Sequence, residues 1–154
     1  MTREEATEQV RKVGVWSFWK VAREATGPDG EMLYPVRTRR LAYAGEVAVI
    51  LGRQGRDIDA GQYRDFVGGV TFLADWSIRD GRESAPLTFA AAKDFDTCLS
   101  MGPWIVVDEL DPQDIEVETR VNEETRQRYN ARDMVFSFGG AHAVSVAGLH
   151  PLPG

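Results

Sequence analysis

The chain has 154 residues, 43% hydrophobic and 27% charged, with a formal net charge of −6: the composition of one ordinary soluble domain, long enough to bury a core. The acidic balance, with pI near 5.0, excludes nonspecific nucleic-acid binding, since no basic stripe is present to displace phosphate counterions. A single cysteine, Cys98, excludes an intrachain disulfide framework, and no apolar run reaches the roughly 18 residues of a membrane span.

Met1-Thr2-Arg3-Glu4-Glu5-Ala6 is charged and leads into no apolar core, so no signal peptide is expected and a reducing cytoplasm suits the lone thiol. Thr2 to Lys12 is rich in Glu, Arg and Ala, which predicts a short helix; Thr2 is placed to cap it and Glu5 to complete a capping box. Gly27-Pro28-Asp29-Gly30 is a turn. The basic run Arg37-Thr38-Arg39-Arg40 is too short for a groove and reads as a solvated strand end. Leu41 to Leu51 reads as a strand. Its last stretch, Val47-Ala48-Val49-Ile50-Leu51, is the continuous apolar run of a strand buried on both faces. Gly52-Arg53-Gln54-Gly55-Arg56 closes it. Asp59 to Phe66 is expected as a short helix capped by Asp59. Val67 to Ala74 is expected as a strand in which Gly68-Gly69 marks a bulge or a close backbone approach. Trp104 to Val107 is another strand, and Asp111-Pro112-Gln113-Asp114 a turn. Ile115 to Asn122 alternates, Asn122-Glu123-Glu124-Thr125 forms a hairpin tip, and Arg126 to Tyr129 runs back. Met134-Val135-Phe136 is apolar, and Gly139 to Gly148 is a candidate helix. Many short strands with few helices predict a β-rich α+β chain, rolled as a barrel or sandwich.

Few side chains suggest chemistry from their type alone. Glu46 and Asp75 read by themselves as polar residues at strand ends. Lys93, after Ala90-Ala91-Ala92, has the setting of an exposed helix lysine. Cys98 reads as packing, and His142 and His150 as structural or surface residues.

Lys93-Asp94-Phe95-Asp96-Thr97 followed by Gly102-Pro103-Trp104 resembles the Lys-x-Phe-Asp-Thr and Gly-Pro-Trp motifs of the fumarylacetoacetate hydrolase family. Gly27-Pro28, Tyr43-Ala44-Gly45-Glu46, Asp75-Trp76-Ser77-Ile78-Arg79-Asp80, Arg120-Val121-Asn122 and Leu152-Pro153-Gly154 follow in the family's order. The resemblance runs from Phe18-Trp19-Lys20 to Gly154. It implies the family's β-rich mixed sandwich roll, shortened at the C-terminus before a Gly-Thr-Pro loop. Residues 1–13 would form a lid-like helix and 14–154 a single, incomplete domain.

The resemblance also implies Mg²⁺ or Mn²⁺ held by carboxylates. Glu46 and Asp75 match two ligands, while Ala44 stands where the first should be and weakens the site. It implies Lys93 at the substrate's carboxylate or enolate oxygen, with Arg79 holding substrate or pairing with Asp80 or Asp75. Thr97 and Tyr43 join the substrate-binding set. Gln9 and Lys12 stand where the family's lid carries His and Glu, and glutamine cannot act as a general base. The expected activity is that of a divergent member acting on a small oxo or β-diketo acid by C–C hydrolysis, decarboxylation, tautomerisation or cyclisation. The alternative is an inactive relative that binds a ligand or supports a partner chain. A homodimer, or a complex with a related chain that completes the roll, is expected; nucleic acid and membrane are not.

Overall fold

The computed structural model describes residues 2–20, 24–36, 38–80, 89–107 and 109–141. The expectations for His142, His150, Leu152-Pro153-Gly154 and most of the Gly139 to Gly148 helix lie outside these residues.

Helix α1 spans Arg3–Val13. Its capping box forms as the sequence predicts: the Thr2 hydroxyl accepts from the Glu5 N–H at 3.2 Å, and the Glu5 carboxylate accepts from the Thr2 N–H at 2.8 Å. Gly14, at φ 84, ends it.

Strands β1 (Leu41–Leu51), β2 (Val67–Ile78) and β3 (Leu99–Val106) form one antiparallel sheet in the order β1-β2-β3. β1 has the predicted bounds, but Ala48 is its only buried residue, so the apolar run Val47 to Leu51 is not covered on both faces as expected. β2 runs past the expected Ala74 because its polar end, Asp75 to Ser77, stays in the ladder with β1, and β3 begins at Leu99, ahead of the expected Trp104, because Leu99 to Gly102 pair with β2. The predicted irregularity at Gly68-Gly69 is present. Register passes from Ile50↔Gly69 to Leu51↔Val67 and leaves Gly68 over, with its backbone against Gly52 where neither position has room for a Cβ. A second irregularity falls between Val70↔Val106 and Phe72↔Gly102, around Pro103, which has no N–H to pair. There the Thr71 hydroxyl donates to the Trp104 carbonyl at 2.8 Å. Thr26 bridges the outer edge of β3, donating to the Leu99 carbonyl and accepting from the Met101 N–H, each at 2.9 Å. The Gly27–Gly30 turn follows, with Pro28 packed on Gly102.

The expected helix from Asp59 to Phe66 contracts to a 3₁₀ turn over Tyr63–Phe66, because Gly61 interrupts it; Asp59 contributes its carbonyl to the Gln62 N–H and makes no side-chain cap. Asp111 does cap, its carboxylate accepting from the Gln113 N–H at 3.0 Å over the 3₁₀ turn Pro112–Asp114. Strands β4 (Glu116–Val121) and β5 (Glu124–Asn130) pair as a hairpin. Its tip is tighter than the four residues expected: Asn122 and Glu123 take φ 49 and 69, the left-handed pair of a two-residue turn.

This hairpin lies on the sheet. Val70, Ile115 and Val117 are buried together, with Val47, Val67 and Tyr129 packed around them. Gly45 makes the close approach possible. A Cβ there would strike the Thr119 hydroxyl, and the bare backbone instead donates to Gln127 Oε1 at 2.8 Å and accepts from the Tyr129 hydroxyl at 3.0 Å. Among the described residues no helix is long and apolar enough to cross a membrane.

Candidate functional site

Strand alternation divides β1 and β2 into two faces. The register puts Ala44, Glu46, Leu73, Asp75 and Ser77 on one, and Tyr43, Gly45, Val47, Ala74 and Trp76 on the other, which the hairpin covers. Short helix α2 (Phe89–Lys93) packs against β2. Its lysine is aimed inward by the turn that follows: Thr97 takes φ 59, and Cys98, 1% exposed, donates its N–H to the Phe95 carbonyl at 3.0 Å.

Asp75 is the centre of the site, 5% exposed. Its Oδ1 accepts from Lys20 Nζ at 2.6 Å, and its Oδ2 accepts from Lys93 Nζ. Lys20 Nζ also donates to the Trp76 carbonyl at 3.1 Å. Lys93 Nζ lies 5.2 Å from the centroid of the Phe18 ring, close enough for a cation–π contact. The two lysine side chains are 12% and 11% exposed, so Lys93 is not a surface helix lysine.

The residue directly across from Asp75 is Ala44. Glu46 is one step further along the same face, pairing with Leu73. Glu46 is exposed as a residue, yet the protein packed around its carboxyl desolvates it; this, and then the Asp75 charge, push its pKa above the ordinary range, while Lys93 and Lys20 pull the other way. All four side chains thus act on one another, and their formal charges cancel. A cleft of about 450 Å³ lies between the sheet and the hairpin, walled by Pro28, Met101, Pro103, Thr119 and Arg120; of the four cluster residues only Glu46 borders it.

The other candidates are placed differently. Arg79 is exposed and makes neither ion pair considered for it: Asp75 is bridged by the lysines, and Asp80 Oδ2 accepts from the Arg39 N–H at 2.6 Å. The Thr97 hydroxyl accepts from the Leu33 N–H at 2.8 Å and donates to the Asp96 carbonyl at 2.7 Å, which fixes a loop. Tyr43 is on the face away from Asp75, edge-on to Trp76 at 5.9 Å between centroids. On α1, Lys12 pairs with Glu8 at 2.8 Å. Lys20 is the functional candidate that the motifs did not single out; a cation flanked by Trp16, Phe18 and Trp19 was the available signal, since aromatic neighbours bury an aliphatic stem.

A divalent cation needs several oxygen donors with open lone pairs. Among the described residues no three His, Cys, Asp or Glu side chains are grouped to hold a metal. Both Asp75 oxygens carry an ammonium group, and Ala44 offers no donor where a third carboxylate would face them. These residues do not fit a divalent cation.

The family model described as fumarylacetoacetate (FAA) hydrolase C-terminal matches residues 2–146. Over 102 residues the chain is 39% identical to oxaloacetate tautomerase YisK of Bacillus subtilis, covering 65% of this chain and 34% of that protein. The solved 5-carboxymethyl-2-hydroxymuconate delta-isomerase of Mycobacterium smegmatis superposes with a TM-score of 0.74 at 34% identity, over 83% of this chain and 50% of that one. The maleylpyruvate hydrolase of Sphingobium sp. SYK-6, solved with manganese(II) ion and pyruvate, superposes with a TM-score of 0.63 at 28% identity, over 74% and 41%. The chain spans about half the length of the curated relatives it matches.

Proposed function

The chain belongs to the fumarylacetoacetate hydrolase family, and from that premise we propose that it is a divergent member acting on a small enolisable oxo acid, by tautomerisation or decarboxylation. The observation that carries this reading is the Lys20–Asp75–Lys93 cluster with Glu46 on the same face of the sheet, its carboxyl feeling the charge of all three. Lys93 donates to the oxo oxygen. Enolisation passes the α-carbon proton to the Glu46 carboxylate while the C–H pair forms the C=C bond and the carbonyl pair moves to oxygen, where the ammonium group stabilises it. Return of the proton to oxygen or carbon completes the exchange. C–C hydrolysis is less well served, because Gln9 cannot activate water. Arg79, exposed just past the end of β2, is assigned to the far anionic end of a longer substrate, whereas the contacts of Thr97 and Tyr43 fit supporting roles. Relatives named as tautomerase, isomerase and hydrolase on small acids support this range.

The test is proton exchange at C3 of oxaloacetate in D₂O, followed by NMR. Exchange above the buffer rate is expected, falling at least about a hundredfold in Glu46→Gln and in Lys93→Met. Exchange at the buffer rate would overturn the enzymatic reading. The second reading, a ligand-binding relative without turnover, is favoured by Gln9 and by the Lys12–Glu8 pair, which commits Lys12 elsewhere. Saturable oxo-acid binding without exchange would select it. We further propose a homodimer, or a complex with a related chain, because Trp104, Ile105 and Val107 are 71%, 49% and 55% exposed beside the end of β3. Residence in the cytoplasm suits the single thiol.

A further inference from the structure

We propose that the Lys20 and Lys93 ammonium groups are the positive centre of this site in place of a divalent cation, so that the chain takes an α-oxo carboxylate without metal. The ligand class rests on the reading above; the replacement of the cation rests on geometry.

The cluster's charge is balanced without a metal ion. With a carboxylate at position 44 the cluster would hold three anions against two ammonium groups, and a divalent cation would bring it to a single positive charge. With Ala44 the cluster is already neutral, and the same cation would leave two uncompensated positive charges among largely buried side chains, which is costly. The one substitution that removes a ligand therefore also removes the need for the ion.

A cation at Asp75 would also have to expel both ammonium groups, and each is held by more than the carboxylate: Lys20 by the Trp76 carbonyl, Lys93 by the Phe18 ring. An ammonium group has three N–H donors. Lys20 commits two, to Asp75 and Trp76; Lys93 commits one to Asp75 and turns toward Phe18. Each retains an N–H, and the shared Asp75 keeps the two groups adjacent. An α-oxo carboxylate offers two neighbouring oxygens, one from each of its groups, and suits such a pair of donors.

The experiment uses the full chain, freed of metal on a chelating resin, in two separate calorimetric titrations. Oxalate, a stable mimic of an oxo-acid enolate, is expected to bind saturably to the metal-free protein. Mn²⁺ alone, taken to about 1 mM, is expected to give no saturable binding. In Ala44→Glu the third carboxylate should raise Mn²⁺ affinity at least about tenfold; Ala44→Asp is the second variant should the first fail to fold by circular dichroism. Saturable Mn²⁺ binding to the unaltered chain below about 100 µM would overturn the replacement of the cation. Oxalate binding that appears only after Mn²⁺ is added would overturn it as well. No oxalate binding under either condition, with Mn²⁺ still excluded, would overturn the oxo-acid reading and uphold the exclusion of metal.

Discussion

Asp75 holds two ammonium groups on one carboxylate, so removing it takes away the ion-pair partner of both and leaves only the Glu46 charge nearby. Asp75→Ala should cost about 3–5 kcal/mol in urea unfolding, the range for orphaning a buried charge. Lys20→Met or Lys93→Met alone should cost less, because the remaining lysine still neutralises Asp75. The double variant should exceed the sum of the two, since three groups in contact couple; strict additivity would show that the lysines act independently. Glu46 gives a pH signature. The folded chain holds its proton more tightly than the unfolded chain, whose carboxyl titrates near 4.5. Stability should therefore fall as pH rises from there through the raised folded value, then level off. Glu46→Gln should remove that fall and show a higher urea midpoint at pH 7, with the difference vanishing below pH 4. At this scale the sequence marked Glu46, Asp75 and Lys93 through their motifs. It did not mark Lys20, because a lone lysine declares its partner only once a strand 55 positions away is folded beside it.

Gly45 is the point at which two elements meet, and the collision it avoids can be isolated. Gly45→Ala should destabilise by about 1–3 kcal/mol, since the new methyl meets the Thr119 hydroxyl. Adding Thr119→Ala should recover much of the loss, because the Thr119 Cβ itself is 3.4 Å from the added carbon, a tolerable approach. No recovery in urea unfolding of the double variant would mean that the backbone at Gly45, and not its space, is what matters. Elements with strong apolar patterning were legible: β1 has its predicted ends, and the alternation from Ile115 marked β4. The polar end of β2 and the first part of β3 were not, because ladder pairing rather than an apolar pattern keeps Asp75 to Ser77 and Leu99 to Gly102 extended. The helix from Asp59 failed for a local reason, an internal glycine that the capping residue could not offset.

The order of motifs, from Gly27-Pro28 to Arg120-Val121-Asn122, made the family legible where no single strand could. Among the described residues Thr26 bonds only the first part of the edge of β3; past Gly102, Trp104 and Ile105 are exposed. Light scattering at micromolar concentration should therefore give twice the 17.2 kDa of one chain, and Trp104→Lys should shift the species toward monomer. A monomer at all concentrations would show that this face stands open in solution.

Cys98 lends the molecule a clock. Its sulfur is sealed at the corner between α2 and β3, and a thiol reagent meets it only when that corner opens, so the labelling rate counts openings. Lys93 rides on the same corner. An anion resting on the lysine should make the openings rarer and the labelling slower, while an anion bound elsewhere should leave the rate unchanged. Timing the chain's one thiol with and without oxalate thus reads occupancy of the site in seconds or hours, with no turnover required.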